Sequence, residues 1–241
     1  MMIAIGNFFF RYRNGLFPLV YALLCFKSRP VLPNYQIAAL VGVVVAFSGQ
    51  LLRAVTIGLD YIRRGGRNRQ VYADRLVQGG VFAHCRNPLY VGNFLILLGV
   101  GLAANSVLFL TVAIPFFSFA YWAIILAEEA YLRKKFGEEF DRYCVRVNRL
   151  IPNFSGFKRT IAGMRFNWRK IVVKDYGTAY LWMAVMPLAV LKNLWVTGDY
   201  TTKLSLVRSM WSVFAVVSIA YALARSLKKS SLLKDELAPA G

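Results

Sequence analysis

Apolar residues along this chain gather into runs of membrane-crossing length. Tyr35 to Leu59, Gly177 to Val196 and Leu206 to Ala224 each supply close to the ~20 residues of helix that one crossing of hydrocarbon requires. Pro88 to Ala104 and Val107 to Ala127 are separated only by Asn105 and Ser106, which predicts a tight helical hairpin passing through the membrane and back. Leu16 to Phe26 is apolar but short, with Pro18 near its start, and predicts a tilted or partly interfacial first span. Arg11 and Arg13 follow the first apolar run instead of preceding it, which argues against a cleavable leader. A helix pairs its backbone polar groups within its own segment, so the pattern predicts an all-α, polytopic membrane protein of about six spans with a central hairpin.

The segments between the runs are short and polar. Residues 63 to 75 read as a polar loop, and Leu76 to Ala83 as a turn-rich approach carrying Gly79 and Gly80. Pro88 suits the first turn of the next helix, where a missing N–H costs nothing. Past the hairpin, Glu128 to Val147 is charged but periodic. Leu132, Phe136, Phe140 and Tyr143 recur at helical spacing, predicting a helix that leaves the membrane and lays an apolar stripe along a partner or the interface. The chain divides into N-terminal spans with a basic loop (1–75), a central core (76–154), and a basic loop with a C-terminal membrane hairpin and tail (155–241).

Composition sharpens this picture. A chain that is 58% apolar yet carries a net charge of +19 must segregate the two. The cations form three clusters: Arg63, Arg64, Arg67, Arg69 and Arg75; the stretch from Arg133 to Lys174; and a tail with Arg225, Lys228, Lys229 and Lys234. Lys and Arg accumulate in short cytoplasmic loops, so all three clusters and both termini are expected to face the cytoplasm. The poorer loops around Ser28 to Asn34 and Thr197 to Thr202 then face the other side. Basic loops also meet anionic lipid heads, so membrane lipids, and no nucleic acid, account for the charge. Cys25, Cys85 and Cys144 lack the spacing of a disulfide framework or a zinc site. A KDEL run in the tail is internal and is no retention signal.

Four groups carry candidate chemistry. His84, Arg86, Asn87, Pro88, Tyr90 and Gly92 stand in H-C-R-N-P-L-Y-V-G at the cytoplasmic mouth of a membrane helix. There a guanidinium fixed by packing can grip a carboxylate or phosphate, or else snorkel to lipid phosphates. Glu128 and Glu129 are adjacent acids at the cytoplasmic end of the other hairpin helix and should face the Arg86 region, unless they pair with Arg133 or Lys134. Gly99 and Gly101 allow close approach of a ligand or of a neighbouring helix, within a monomer or across a dimer. Phe136, Gly137, Tyr143, Val147, Arg149 and Pro152 add aromatic and cationic surface. One His supports neither a His-based metal site nor a phosphorelay, and no Walker or Rossmann pattern occurs.

These residues resemble the isoprenylcysteine carboxyl methyltransferase and phospholipid methyltransferase superfamily. The likeness lies in L-V-Q-G-G-V-F-A-H-C-R-N-P-L-Y-V-G-N from Leu76 and E-E-A-Y-L-R-K-K-F-G-E-E-F-D-R-Y-C-V-R-V-N-R-L-I-P from Glu128, together about a third of the chain. The resemblance implies S-adenosylmethionine as cofactor in a cytosol-facing pocket, and a lipid-like or small hydrophobic acceptor entering from the bilayer. It implies that Leu76, Val77 and Phe82 border the cofactor, that Asn87, Pro88, Leu89 and Tyr90 form the R-x-P-x-Y wall, and that Glu128 and Glu129 take its polar end. Gly99 and Gly101 look like the G-x-G element of the phospholipid N-methyltransferases. Arg86 and Arg149 are expected to orient cofactor or acceptor, with His84 or Glu128 as base where the acceptor must lose a proton. Asn87 stands where prenylcysteine enzymes have His, and Ile124, Ile125, Leu126 and Ala127 replace the Arg those enzymes carry before the Glu group. Sterol-type reductases share R-x-P-x-Y around NADPH but differ at Leu89 and Asn93. A non-catalytic membrane partner of the same fold is the other alternative.

Overall fold

A computed structural model describes residues 1–59, 64–67, 70–73, 75–164 and 166–229. Arg63, Arg69 and the tail with Lys234 and the KDEL run lie outside the described residues. The elements are α1 (Met2–Tyr21), α2 (Tyr35–Leu59), β1 (Arg64–Arg67), β2 (Gln70–Ala73), α3 (Pro88–Ala103), α4 (Ile114–Phe136), α5 (Glu138–Arg146), α6 (Phe157–Ala162), α7 (Trp168–Thr197) and α8 (Leu204–Lys229). A 3₁₀ turn at Ala22–Cys25 extends α1, and a π-helical turn at Phe109–Ala113 leads into α4. Among the described residues, four helices are long and apolar enough to cross a membrane: α2, Phe109–Phe136, α7 and Leu204–Lys228. The apolar α3 is shorter, at 16 residues. The molecule is a helical membrane protein.

Small residues set how the bundle closes. α2 and α3 pack along a seam of Gly42, Ala46 and Gly49 against Gly92, Gly99 and Ala103. A Cβ added at Gly99 would stand 2.4 Å from the Gly42 carbonyl oxygen. Such backbone proximity gives dispersion contact where no hydrophobic effect acts between helices. α1 runs beside α4, with Gly6 pressed on Ala123 and Ala127 and with Phe9 and Phe17 edge-on to Phe116 and Phe117. α7 packs on α2, and α8 packs on α7. Ile96, Leu97, Val100, Phe109, Phe117, Trp182 and Met186 fill the space among α3, α4 and α7.

Polar side chains tie the turns at one end of the bundle. Asn105, with φ of 51° in the α3–α4 turn, accepts from the N–H groups of Val31 and Leu32 at 2.8 and 2.9 Å and donates to the Leu32 carbonyl at 2.8 Å. The Tyr35 hydroxyl meets Asp199 at 3.4 Å and accepts from Lys203 at 3.0 Å, which joins the start of α2 to the α7–α8 turn. The basic connections occupy the opposite end.

Several expectations are corrected. The first helix begins at Met2, not Leu16, because its apolar face continues through Phe9 and Phe10 past Arg11 and Arg13. α7 starts at Trp168, not Gly177; the Asn167 side chain caps it by accepting from the N–H groups of Arg169 and Lys170. The stretch read as polar loop contains an antiparallel ribbon, Arg64 opposite Ala73 and Arg67 opposite Gln70, so the fold is helical but not purely so. The continuous helix expected over Glu128 to Val147 breaks at Gly137, whose φ of 52° and ψ of −128° no helix allows. The stripe survives the break: Leu132, Phe140, Tyr143 and Val147 pack together with Ala73 and Leu76.

Candidate functional site

The two motifs meet through backbone stitching. Arg86 N–H donates to the Asn148 carbonyl at 2.9 Å, and Asn153 N–H donates to the His84 carbonyl at 2.9 Å. The buried Tyr143 hydroxyl donates to the Phe82 carbonyl at 2.7 Å, and Asn87 Nδ2 donates to the Arg149 carbonyl at 3.1 Å. The chain after α5 therefore wraps the approach to α3, and Pro88 starts α3 with the ring at its first position.

Beside this junction lies a cavity of about 970 Å³. Phe82, Arg86, Asn87, Pro88, Leu89 and Tyr90 of the first motif line it, with Glu128 of the second. Tyr90 Oη donates to Glu128 Oε1 at 3.0 Å. Arg86 Nη1 is 3.4 Å from Glu129 and 2.5 Å from Cys144 Sγ, while its Nε is buried without an acceptor. A buried unsatisfied donor costs about 1–3 kcal/mol.

The adjacent acids separate, as neighbours on a helix must, since residues i and i+1 do not share a face. Glu128 faces the cavity. Glu129 lies outside its lining and clamps Arg149, at 3.0 and 3.1 Å from Nε and 2.7 Å from Nη2. That carboxylate holds the Arg149 guanidinium still more firmly protonated than usual. Arg149 also sits 4.9 Å from the centre of the Trp122 ring.

Other expected residues stand elsewhere. His84 Nδ1 is 2.6 Å from the Asn153 carbonyl oxygen, and Nε2 is 2.9 Å from Thr160 Oγ1. A carbonyl only accepts, so Nδ1 carries the hydrogen, and the ring, edge-on to Phe157, pins the segment before α7. It lies outside the cavity lining, which corrects its expected place as a base. Leu76 belongs to the α4–α5 stripe, and neither it nor Val77 lines the cavity. Gly99 faces Gly42 and Ala46, and Gly101 faces Phe109 and Leu110, so helix packing accounts for both positions.

The cavity's other walls are residues that the sequence reading did not single out as site residues. α1 gives Phe10, Arg13, Asn14 and Phe17; α7 gives Lys174, Thr178 and Trp182. Arg53 of α2 forms a buried ion pair with Asp175 of α7 through Nε, at 3.0 Å, and Nη2. Its Nη1 donates to Asn93 Oδ1 at 2.6 Å and approaches the Leu89 carbonyl at 3.5 Å. Gln50 completes the set, donating to Asp175 at 2.6 Å and accepting from Trp182 Nε1 at 2.9 Å. The available signal was an Arg and an Asp inside apolar helices, positions that are functional or structural anchors by default.

Comparison with known proteins agrees with the motifs. The phospholipid methyltransferase family model matches residues 37–139, from α2 into α5. A cobalt-zinc-cadmium resistance protein, CzcN, of Cupriavidus metallidurans is 31% identical over 164 residues, 64% of this chain and 70% of that protein. This chain belongs to the isoprenylcysteine carboxyl methyltransferase and phospholipid methyltransferase superfamily. Another member of this superfamily of membrane methyltransferases, protein-S-isoprenylcysteine O-methyltransferase of Schizosaccharomyces pombe, is 38% identical over 81 residues, 32% of this chain and 33% of the enzyme. A nickel-cobalt-cadmium resistance protein, NccN, of Alcaligenes xylosoxydans xylosoxydans is 32% identical over 119 residues, 49% of this chain and 50% of that protein. The chain thus spans half the length of NccN and a third of the yeast enzyme. No solved structure matches it. The resistance proteins' names describe a phenotype and no chemistry, and among the described residues no group of three or more His, Cys, Asp or Glu could hold a metal ion.

Proposed function

We propose that this membrane methyltransferase transfers the methyl group of S-adenosylmethionine to a lipid-like acceptor in the cavity beside α3 and α4. The observation that carries the reading is the convergence of Arg86, Tyr90 and Glu128, from two motifs some forty residues apart, on one cavity. The residues fit the cofactor. Arg86 brings a guanidinium to the wall for a carboxylate. Glu128 offers an acceptor for an ammonium or ribose hydroxyls, and the Phe82, Tyr90 and Tyr121 rings offer faces for a cationic sulfur. The volume lies at the upper end of the ~300–1,000 Å³ typical of ligand pockets, enough for a cofactor and part of an acceptor.

Bound there, the cofactor supplies an electrophilic methyl group on a sulfonium, whose direct displacement needs no enzyme nucleophile. The chain's task is alignment, a contribution that can reach about 7–11 kcal/mol for well-oriented partners. Tyr90 orients Glu128 through its hydroxyl. Glu128 holds negative charge at the wall, and can take a proton from an acceptor that must lose one. Phe17, Phe117 and Trp182 keep the far side dry and apolar, so the charges act in low dielectric. The three basic segments support an orientation with the termini and this end of the bundle toward the cytoplasm.

Calorimetry on detergent-purified protein tests this with S-adenosylmethionine, S-adenosylhomocysteine and NADPH. Saturable binding of the first two is expected, weakened at least tenfold in folded Glu128→Ala and Tyr90→Phe variants. Binding of NADPH in their place would overturn the assignment.

A further inference from the structure

Arg13 is a charged group of the cavity wall whose presence the methyl-donor reading does not explain. It lies near the middle of α1, a helix about 30 Å long, and its side chain is half-buried. Its guanidinium carbon stands 4.3 Å from the centre of the Phe10 ring. Among the described residues no carboxylate pairs with it. The other arginines of the wall have carboxylate partners: Arg53 pairs with Asp175, and Arg86 with Glu129, which it shares with Arg149. An arginine half-buried on a helix packed against a membrane span ordinarily faces a partner or a polar cavity, because an uncompensated charge there is costly.

The surroundings specify what the partner must be. Arg13 of α1 and Arg53 of α2 both line the cavity, so cations reach it from two helices. Arg86 and Lys174 bring the cations of the described lining to four, and Glu128 is its only carboxylate. Beyond these groups the wall is apolar and aromatic, through Phe17, Tyr21, Leu97, Phe117 and Trp182. Cationic and polar groups beside a hydrocarbon-like wall complement an anionic head on an apolar chain. An ammonium head would meet like charge in a medium that screens little.

We propose that Arg13 seats the anionic head of an amphiphile, a carboxylate or phosphate, with the chain of that amphiphile lying along Phe17, Leu97 and Phe117. The amphiphile site stands on its own residues; calling its ligand the methyl acceptor rests on the function proposed above. The acceptor class is then an anion-headed lipid and not an amine-headed one. Its head binds on α1 and not on α4, where Ile124, Ile125, Leu126 and Ala127 offer no cation.

The test is titration of the full chain, in a neutral maltoside detergent, with decyl phosphate, decanoate and decyltrimethylammonium. Saturable binding of at least one anion is expected, tenfold or more tighter than the cation. Arg13→Gln should remove that preference and Arg13→Lys should keep most of it, while both variants bind S-adenosylhomocysteine as the parent does. The phosphate and carboxylate arms show which head the site takes. Equal binding of anions and cation by the parent protein, or unchanged anion binding in folded Arg13→Gln, overturns the proposal and leaves the methyl-donor reading standing. Anion selectivity without any S-adenosylhomocysteine binding would do the reverse: it would sink the methyl-donor reading and keep the amphiphile site.

Discussion

Glu128 and Glu129 are identical side chains one residue apart, yet their surroundings give them different work. Glu128 touches Tyr90 and the cavity, whereas Glu129 neutralises Arg86 and Arg149 behind the wall. Replacing Glu129 by Ala should therefore lower stability by about 1.5–3 kcal/mol, the loss of hydrogen bonds to charged partners, and weaken ligand binding only through Arg86. Glu128→Ala should abolish methyl-donor binding outright. Unfolding followed by circular dichroism, set beside calorimetry of the same two proteins, separates these roles, and equal effects of both substitutions would contradict them. The pair of acids, Arg86 and Tyr90 were legible in the sequence because a motif marks them. Which acid faces the cavity was not, since that depends on the rotation of α4 against α1 and α3. Arg13 and Arg53 escaped notice for a different reason: hydropathy treats a lone arginine as an interruption of a span instead of as part of a wall.

Elements repeat this lesson at larger size. The limits of α2 and the α3–α4 turn follow from the apolar runs and from Asn105, and the structure places both where the sequence does. The start of α7 does not, because Lys170, Lys174 and Asp175 make its first turns look like loop. Those turns nevertheless hold the partner of Arg53. Asp175 is fully buried, so Asp175→Ala leaves a guanidinium among apolar side chains and should cost about 3–5 kcal/mol. The double replacement Arg53→Met with Asp175→Leu removes both charges and should recover most of that loss, since a buried pair exchanged for apolar residues is often close to neutral. Thermal unfolding in detergent of the three proteins measures the difference. A double variant as unstable as the single one would mean that Gln50, Asn93 and Thr178, left behind without partners, outweigh the ion pair itself. Either way α7 is a wall of the cavity, not an appendage to the family's core: it contributes Thr178 and Trp182 where residues 37–139 alone would leave that side open.

For the whole molecule, the pairing of turns shows which connections share an end, and the segregation of charge supports a proposal for which end faces the cytoplasm. The segments rich in Lys and Arg lie at the end that carries the motifs, and the turns held by Asn105 and by Tyr35 with Asp199 lie at the other. The positive-inside rule then predicts that the Asn105 end lies outside, together with Cys25 after the first helix. The three cysteines make this testable without adding any. Cys25 is exposed, Cys85 is buried and Cys144 half-buried. Burial pushes the thiols of Cys85 and Cys144 up, only partly offset for both by Arg86 beside them. A raised thiol pKa means less thiolate at neutral pH, and the thiolate is the reactive form, so both should label slowly at pH 7 and faster as pH rises. A membrane-impermeant maleimide applied to intact cells or right-side-out vesicles at pH 7 should therefore modify Cys25 quickly and stop at one label per chain, with Cys25→Ser abolishing the signal. If Cys25 reacts only after the membrane is opened, the bundle is inverted, and the cavity's motif end would face away from the cytoplasm where the methyl donor is expected. That single result would separate the geometry of the site, which does not depend on orientation, from the proposal of what reaches it.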